Sequence, residues 1–109
     1  MNCPKRGDLI KCDFDNTAGH EQAGFCRALV ISPNIYNEKL NMAIVCSITN
    51  VTKGFVFEVG IPPGLKVTGV VLSDQIRTID WRARHVETVD RVPPEILERV
   101  LKKVSKLIE

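Results

Sequence analysis

The sequence has no apolar run long enough to cross a membrane, and its first six residues lack the hydrophobic region of a signal peptide. We therefore expect a cytoplasmic protein with no membrane partner. A strong charge excess is missing as well, since a formal net charge of +2 is too weak to indicate nucleic-acid binding by itself. Internal repeats and low-complexity segments are also absent, which excludes repeat architectures.

Cysteine spacing typical of a metal site is missing too. Cys3, Cys12, Cys26 and Cys46 contain no Cys-x-x-Cys pair, and neither histidine lies at ligand spacing from any of them. We therefore expect reduced thiols, no metal and no cofactor. Cys12 and Cys46 fall inside apolar strand patterns, which predicts small core residues at both positions.

A chain of 109 residues predicts one domain over residues 1–109, with one hydrophobic core and no room for a second module. Alternating or continuous apolar residues predict strands, and polar or proline-containing segments separate them. The predicted strands are residues 8–14, 27–32, 42–48, 55–59, 69–72 and 77–81, with 42–48 central. Residues 35–41 are predicted as a polar loop, and residues 73–75 as an interruption between the last two strands.

The last segment differs, because its apolar residues recur at helical spacing from Ile96 to Ile108. This pattern predicts a helix over residues 93–109, and Pro94 suits its first turn. Several short strands followed by one terminal helix, without alternation of strand and helix, favour a mainly β fold. The specific expectation is a small antiparallel barrel.

Two polar segments are candidates for function. Residues 15–24 lie between the first two predicted strands and contain the adjacent pair His20 and Glu21. Such a segment fits a binding or catalytic loop and equally a solvated hairpin connection, and composition leaves both open. The stretch Trp81–Arg84 fits RNA binding by stacking and charge, or packing of the tryptophan at an interface, and we favour packing.

Three separated groups of short motifs together cover nearly the whole chain. They are GDLI at 7–10 with DFD at 13–15 and TAGHEQAG at 17–24; SP at 32–33 with YN at 36–37 and KG at 53–54; and GVV at 69–71, DQ at 74–75, RTID at 77–80 and RAR at 82–84. Together these motifs resemble the MazF/PemK family of toxin endoribonucleases.

The resemblance implies an SH3-like barrel of the CcdB/PemK-like type that forms a homodimer. It implies sequence-specific cutting of single-stranded RNA, including mRNA, by attack of the RNA's own 2′-hydroxyl and without a metal. It also implies a type II toxin–antitoxin system, in which a cognate antitoxin of the MazE/PemI type lays a flexible acidic segment across the RNA site. A gyrase-poisoning toxin on the same barrel matches these residues less well.

Metal-free RNA cleavage needs a base for the 2′-hydroxyl, an acid for the leaving 5′-oxygen and a cation for the charged phosphorane. By the resemblance, Asp74 is the base and His20 assists it, while Thr49 and Glu21 match the MazF branch and Arg27 supplies the cation. RNA contacts are implied for Gln75 and Arg77, and we add as candidates Asn16, Thr17, Lys53, Arg82 and Arg84.

The sequence departs from the family at an arginine that usually precedes proline at the start of the second strand. Ungapped alignment puts Cys26 at the arginine position, whereas a shift of one residue restores Arg27. Such a shift turns a strand side chain to the opposite face, and a thiol lacks the lasting charge of a guanidinium. Leu72 also stands where the PemK branch has arginine. Two interpretations stay open: an active ribonuclease working through Arg27, and a catalytically impaired member that binds RNA or its antitoxin without cutting.

Overall fold

The computed structural model describes residues 3–13 and 25–109, and within them six strands form one antiparallel sheet. In chain order the strands are β1 (Asp8–Asp13), β2 (Phe25–Val30), β3 (Met42–Thr49), β4 (Glu58–Gly60), β5 (Val70–Asp80) and β6 (Glu87–Arg91). The helices of the same residues are α1 (Asn34–Leu40) and α2 (Pro94–Ile108). The order across the sheet is β4-β5-β3-β2-β1-β6, which curls into a half-barrel. The predicted mainly β fold with a C-terminal helix is therefore confirmed.

The sheet buries apolar residues on both faces, because successive side chains of a strand point to opposite sides. The core on the first face, which we call the helix-side face, includes Leu9, Leu29 and Val71 packed with Val100 of α2. The core on the second face, which we call the far face, is formed by Ile10, Cys12, Ala28, Val30, Ala43, Val45, Ile79 and Trp81. Side chains on these strands can therefore be placed by the face of the sheet on which they lie.

The central strand and the buried thiols follow the prediction. β3 lies between β5 and β2 and contributes to both cores, which explains its nearly continuous apolar sequence. Cys12 is 2% exposed and Cys46 is fully buried, and both thiols are free. The packing role favoured for Trp81 is also confirmed: the side chain is buried and its Nε1–H donates a 3.0 Å hydrogen bond to the Asn37 carbonyl oxygen.

Residues 35–41 were predicted as a loop, and this is wrong, because they contribute to α1. An isolated seven-residue helix is unstable in water, so its sequence signal is weak and tertiary contacts decide. The fully buried Asn37 supplies those contacts. Its Nδ2 donates to the Pro4 carbonyl oxygen at 2.9 Å, and its Oδ1 accepts a hydrogen bond from the Ser32 hydroxyl.

The strand prediction also needs correction in the second half of the chain. Residues 73–75 do not divide the strand, because β5 runs without a break from Val70 to Asp80. The polar residues instead lie at a bulge, where pairing with β3 jumps from Cys46–Ile76 to Ile48–Val71. β4 begins at Glu58, later than predicted, and β6 was not predicted at all.

Within residues 3–13 and 25–109, neither helix has both the length and the apolarity that crossing a bilayer requires.

Candidate active site

A groove of about 340 Å³ opens where the end of β3 meets the bulge of β5. Four residues singled out in the sequence line it together: Thr49, Lys53, Asp74 and Gln75. They meet because Thr49 ends β3 opposite Val70, while Asp74 and Gln75 belong to the bulge that follows. Both bulge side chains are exposed, so the groove offers a carboxylate, an amide and a hydroxyl to a ligand.

Thr49 is held by a close approach of two backbone segments. A Cβ on Gly69 would lie 2.3 Å from the Thr49 carbonyl oxygen, and the φ of +116° at Gly69 is strained for any other residue. The Thr49 hydroxyl accepts a 3.1 Å hydrogen bond from the backbone N–H of Val51. The position of Thr49 is thus determined by its contacts with Gly69 and with Val51.

Glu58 shapes the opposite wall of the groove, and sequence reasoning missed it. Its carboxylate accepts hydrogen bonds from the Thr52 hydroxyl at 2.6 Å and from the backbone N–H groups of Lys53 and Gly54 at 3.0 and 3.2 Å. The bond from Thr52 contributes most, followed by that from Lys53, to a pKa of Glu58 below its usual value. The ionised carboxylate therefore organises the segment that carries Lys53.

Arg27 is not one of the described residues that line this groove. Its side chain instead binds residues next to the groove. Its guanidinium donates to Asn50 Oδ1 at 2.6 Å and to the Thr68 carbonyl oxygen at 3.1 Å. Asn50 Nδ2 in turn donates to the Thr68 hydroxyl at 2.9 Å. Arg27 thus connects β2 to the residue after Thr49 and to the residue before Gly69.

Cys26 and Arg27 point to opposite faces of the sheet. Cys26 packs against the far-face core, and by strand alternation Arg27 points to the helix-side face. Since Ala28 pairs with Ser47, alternation along β2 and β3 also places Cys26 and Thr49 on the far face. The guanidinium of Arg27 is hydrogen-bonded to Asn50 and Thr68 rather than directed to the far face. The cation role predicted for Arg27 stays a prediction.

The far face also carries positive charge near Cys26. Arg77 pairs with Val45 in the β3–β5 ladder, and its side chain therefore shares that face. A hydrogen bond from the Cys12 thiol, with smaller contributions from the charges of Arg77 and Arg84, lowers the pKa of Cys26 to about 7 against the opposing effect of burial. This chain therefore places on the far face a thiol whose pKa is lowered.

The remaining predicted residues fall into two groups. Arg82 lies in the turn after β5, with its guanidinium carbon 5.9 Å from the centre of the Trp81 ring, and Arg84 lies in the same turn. The other predicted residues lie outside the described part of the chain: Asn16, Thr17, His20 and Glu21.

A larger depression, of about 670 Å³, lies at β1 and β6 and includes Asp8 and Arg91. The Asp8 carboxylate is already satisfied: it accepts from Arg91 at 2.7 Å, from the backbone N–H of Lys5 at 2.8 Å and from the Thr88 hydroxyl at 3.1 Å. These bonds join the first and sixth strands, so the role of Asp8 is structural and the smaller groove is the better candidate for chemistry. In the described segments no three His, Cys, Asp or Glu side chains are grouped as a metal site requires.

Comparison with known proteins finds relatives over nearly the whole chain. The family model described as the PemK-like, MazF-like toxin of type II toxin-antitoxin system matches residues 5–108. The chain is 44% identical over 105 residues to the endoribonuclease toxin MazF of Escherichia coli K12, covering 96% of this chain and 94% of that protein. It is 36% identical over 110 residues to the endoribonuclease PemK of Escherichia coli, covering 95% of this chain and 81% of that protein.

Solved structures agree with these sequence matches. A MazE–MazF crystal structure (Form-II) from Deinococcus radiodurans matches with a TM-score of 0.92 and 40% identity, covering 99% of this chain and 97% of that chain. A MazF crystal structure (Form-I) from the same organism matches with a TM-score of 0.88, also at 40% identity, covering 99% and 98%.

Proposed function

The chain belongs to the PemK-like, MazF-like toxin family of type II toxin–antitoxin systems, and from this membership we propose that it is an endoribonuclease that cuts single-stranded RNA. The observation that carries the proposal is the groove at the bulge of β5, where Thr49, Asp74 and Gln75 converge. Relatives that align over almost the whole length are named endoribonucleases, which supports RNA as the substrate class.

In the proposed reaction the RNA supplies its own nucleophile. Asp74, exposed at the bulge, takes the proton of the 2′-hydroxyl, and the 2′-oxygen attacks the neighbouring phosphorus. The 5′-oxygen leaves with a proton from an acid, for which His20 and Glu21 are the candidates. The products are a 2′,3′-cyclic phosphate and a 5′-hydroxyl, so neither water nor a metal takes part in this step.

RNA binding is proposed along the same surface. Gln75 and Lys53 line the groove, and Arg77 lies on the far face with Cys26 and Thr49. Cationic side chains hold phosphates without reading sequence, whereas an amide such as Gln75 can hydrogen bond to base edges. Arg82 and Arg84, in the turn after β5, extend the basic surface. Asn16 and Thr17 stay candidate RNA contacts and lie outside the described part of the chain.

The partner proposed for inhibition is a cognate antitoxin of the MazE/PemI type. Solved relatives include MazE–MazF complexes, which supports such a partner for this chain. An acidic antitoxin segment would compete with RNA for the cationic side chains around the groove. We place the pair in the cytoplasm, where mRNA is available.

The test is incubation of the purified protein with a mixed single-stranded RNA in the presence of a chelator. We expect cleavage at specific sites, with 2′,3′-cyclic phosphate ends. Asp74→Asn should lower the cleavage rate by about a hundredfold or more, because it removes the proposed base. Glu98→Gln, an equal charge change on the exposed side of α2, is the matched control and should change little. Loss of cleavage in chelator, or a 3′-hydroxyl product, would refute the mechanism.

A second candidate function is supported by the Cys26 position. Because the thiol occupies the far face and Arg27 is committed elsewhere, the chain can be a family member that binds RNA or antitoxin but cuts poorly. The same incubation separates the two: RNA binding without any cleavage product would favour this candidate.

A further inference from the structure

Cys12 and Cys26 face each other on neighbouring strands. The register of β1 and β2 makes them directly opposed partners, and both thiols are free. Opposed residues of an antiparallel pair have Cα atoms about 4.5–5.5 Å apart, which is inside the range of about 4.4–6.8 Å that disulfides span. The backbone is therefore already arranged for a bond between the two sulfur atoms.

The two thiols are chemically unequal. Cys26 is half-buried, whereas Cys12 is 2% exposed, so a small solute reaches Cys26 first. The hydrogen bond between them lowers the pKa of Cys26 and raises that of Cys12, and burial raises the pKa of Cys12 further. The charges of Arg77 and Arg84 favour the thiolate of Cys26. The greater exposure of Cys26 and the nearby arginines favour it as the nucleophile of the pair, with the proton on Cys12.

We propose that Cys26 and Cys12 form an oxidative modification site for hydroperoxides, in which Cys26 attacks the peroxide and Cys12 resolves the product to a disulfide. First, the Cys26 thiolate forms a bond to one peroxide oxygen and the O–O bond breaks. The second oxygen leaves and takes up a proton from solvent, as water from hydrogen peroxide or as an alcohol from an organic hydroperoxide. Cys26 is then a sulfenic acid, oxidised by two electrons.

In the second step the Cys12 sulfur attacks the Cys26 sulfur. The S–S bond forms, the S–O bond breaks, and the departing hydroxide combines with the Cys12 proton to leave as water. The first step removes the thiolate whose hydrogen bond kept the proton on Cys12, so oxidation of Cys26 itself prepares Cys12 to react. Two thiols lose two electrons and two protons in total, and one peroxide is reduced.

The site lies where oxidation would affect RNA, a consequence that rests on the proposed function. Cys26 shares the far face with Thr49 and Arg77, and a thiolate there opposes binding of phosphate by the nearby arginines. A disulfide carries no charge. We expect the oxidised protein to bind a single-stranded oligonucleotide several-fold more tightly than the reduced protein.

The test uses the full chain and hydrogen peroxide. Reduced protein is treated with one equivalent, remaining thiols are alkylated, and peptides are mapped by mass spectrometry. We expect a Cys12–Cys26 linked peptide that dithiothreitol reverses, while Cys3 and Cys46 stay alkylatable. Cys26 should react about fivefold or more faster than Cys3, whose pKa is raised chiefly by burial.

Two variants identify the roles. Cys12→Ser should stop Cys26 at the sulfenic acid, which dimedone traps, whereas Cys46→Ser is the matched buried control and should leave the disulfide unchanged. Absence of the linked peptide, or equal reaction of Cys3 and Cys26, would overturn the site; peptide mapping of the unaltered chain decides this even if Cys12→Ser does not fold.

RNA binding is measured separately, with an all-deoxy oligonucleotide that cannot be cleaved. Unchanged affinity after disulfide formation would overturn the predicted effect on binding. It would leave the thiol chemistry standing, and it would say nothing against the proposed nuclease.

Discussion

Charge and side-chain direction separate the two neighbours Cys26 and Arg27. Arg27 has the cation that phosphorane stabilisation needs, but its guanidinium points to the helix-side face and binds Asn50 and Thr68. Cys26 has the favourable direction, toward the face of Thr49, but no permanent charge. The geometry therefore supports Arg27 as a positioning residue for the end of β3, and leaves Arg77 as a described cation on the far face.

Substitutions at these two positions distinguish the roles. Cys26→Arg should raise RNA cleavage by about tenfold or more, because one well-placed donor contributes about 10²–10³ in rate and Arg77 already supplies part of that field. Arg27→Ala should lower cleavage by about tenfold, through a less ordered Asn50. Cleavage rates under single-turnover conditions are the measurement, with Cys26→Ser as the control that removes the thiol without adding charge.

The opposite result would support Arg27 as the cation, which is the role that the family resemblance implies. If Arg27→Ala loses a hundredfold or more while Cys26→Arg changes little, Arg27 supplies the cation after all. Cleavage that appears only with Cys26→Arg would mean that the natural chain is catalytically impaired.

At the scale of elements, the sequence predicted what periodicity controls and failed where tertiary contacts decide. The helix α2 and the central strand β3 have long apolar patterns, so both were predicted with nearly correct bounds. The short helix α1 depends on the hydrogen bonds of a buried Asn37, which no local pattern reveals. The apolar and polar residues of β6 alternate only weakly. β6 is stabilised by the Asp8–Arg91 ion pair at 2.7 Å, whose two residues are far apart in the sequence.

The candidate groove was predictable only in part, because tertiary contacts also determine its geometry. Thr49 and Asp74 were found because family motifs mark them, although the sequence alone gave no reason for them to meet. The bulge in β5 brings them together, and a bulge has no reliable signal in composition. Glu58 was missed because its role depends on three hydrogen bonds to residues 52–54 rather than on its own sequence context.

The contact between the end of β3 and the segment before β5 gives a prediction at this scale. Gly69→Ala should destabilise the fold by about 1–3 kcal/mol through its positive φ, and the clash with the Thr49 carbonyl adds to this. Since the clash displaces Thr49, cleavage should fall as well. Gly60→Ala is the matched control, because a Cβ on Gly60 in β4 would meet open space, and it should change neither property much. Thermal unfolding together with cleavage rates provides the measurement, and equal stability of the two variants would contradict the close-approach argument.

At the scale of the whole molecule, the exposed apolar residues indicate that one chain is not the complete working unit. Val51 and Phe55 are 67% and 62% exposed, and both line the groove. Water contact with two large apolar side chains in one place is unfavourable, and such patches mark interfaces. A groove of this size is also open rather than enclosed by the chain, and a second subunit would extend it along an RNA strand.

We therefore expect a symmetric homodimer, and the patch supplies its test. Light scattering at micromolar concentration should give twice the chain mass for the natural protein. Phe55→Asp should shift the equilibrium toward the monomer, because it places a charge in the apolar patch. Ile35→Asp introduces the same change at a 65% exposed position on α1, away from the patch, and should leave the dimer intact. A natural protein that is monomeric at this concentration and still cleaves RNA would show that each chain carries a complete site, since the groove would then work without a partner.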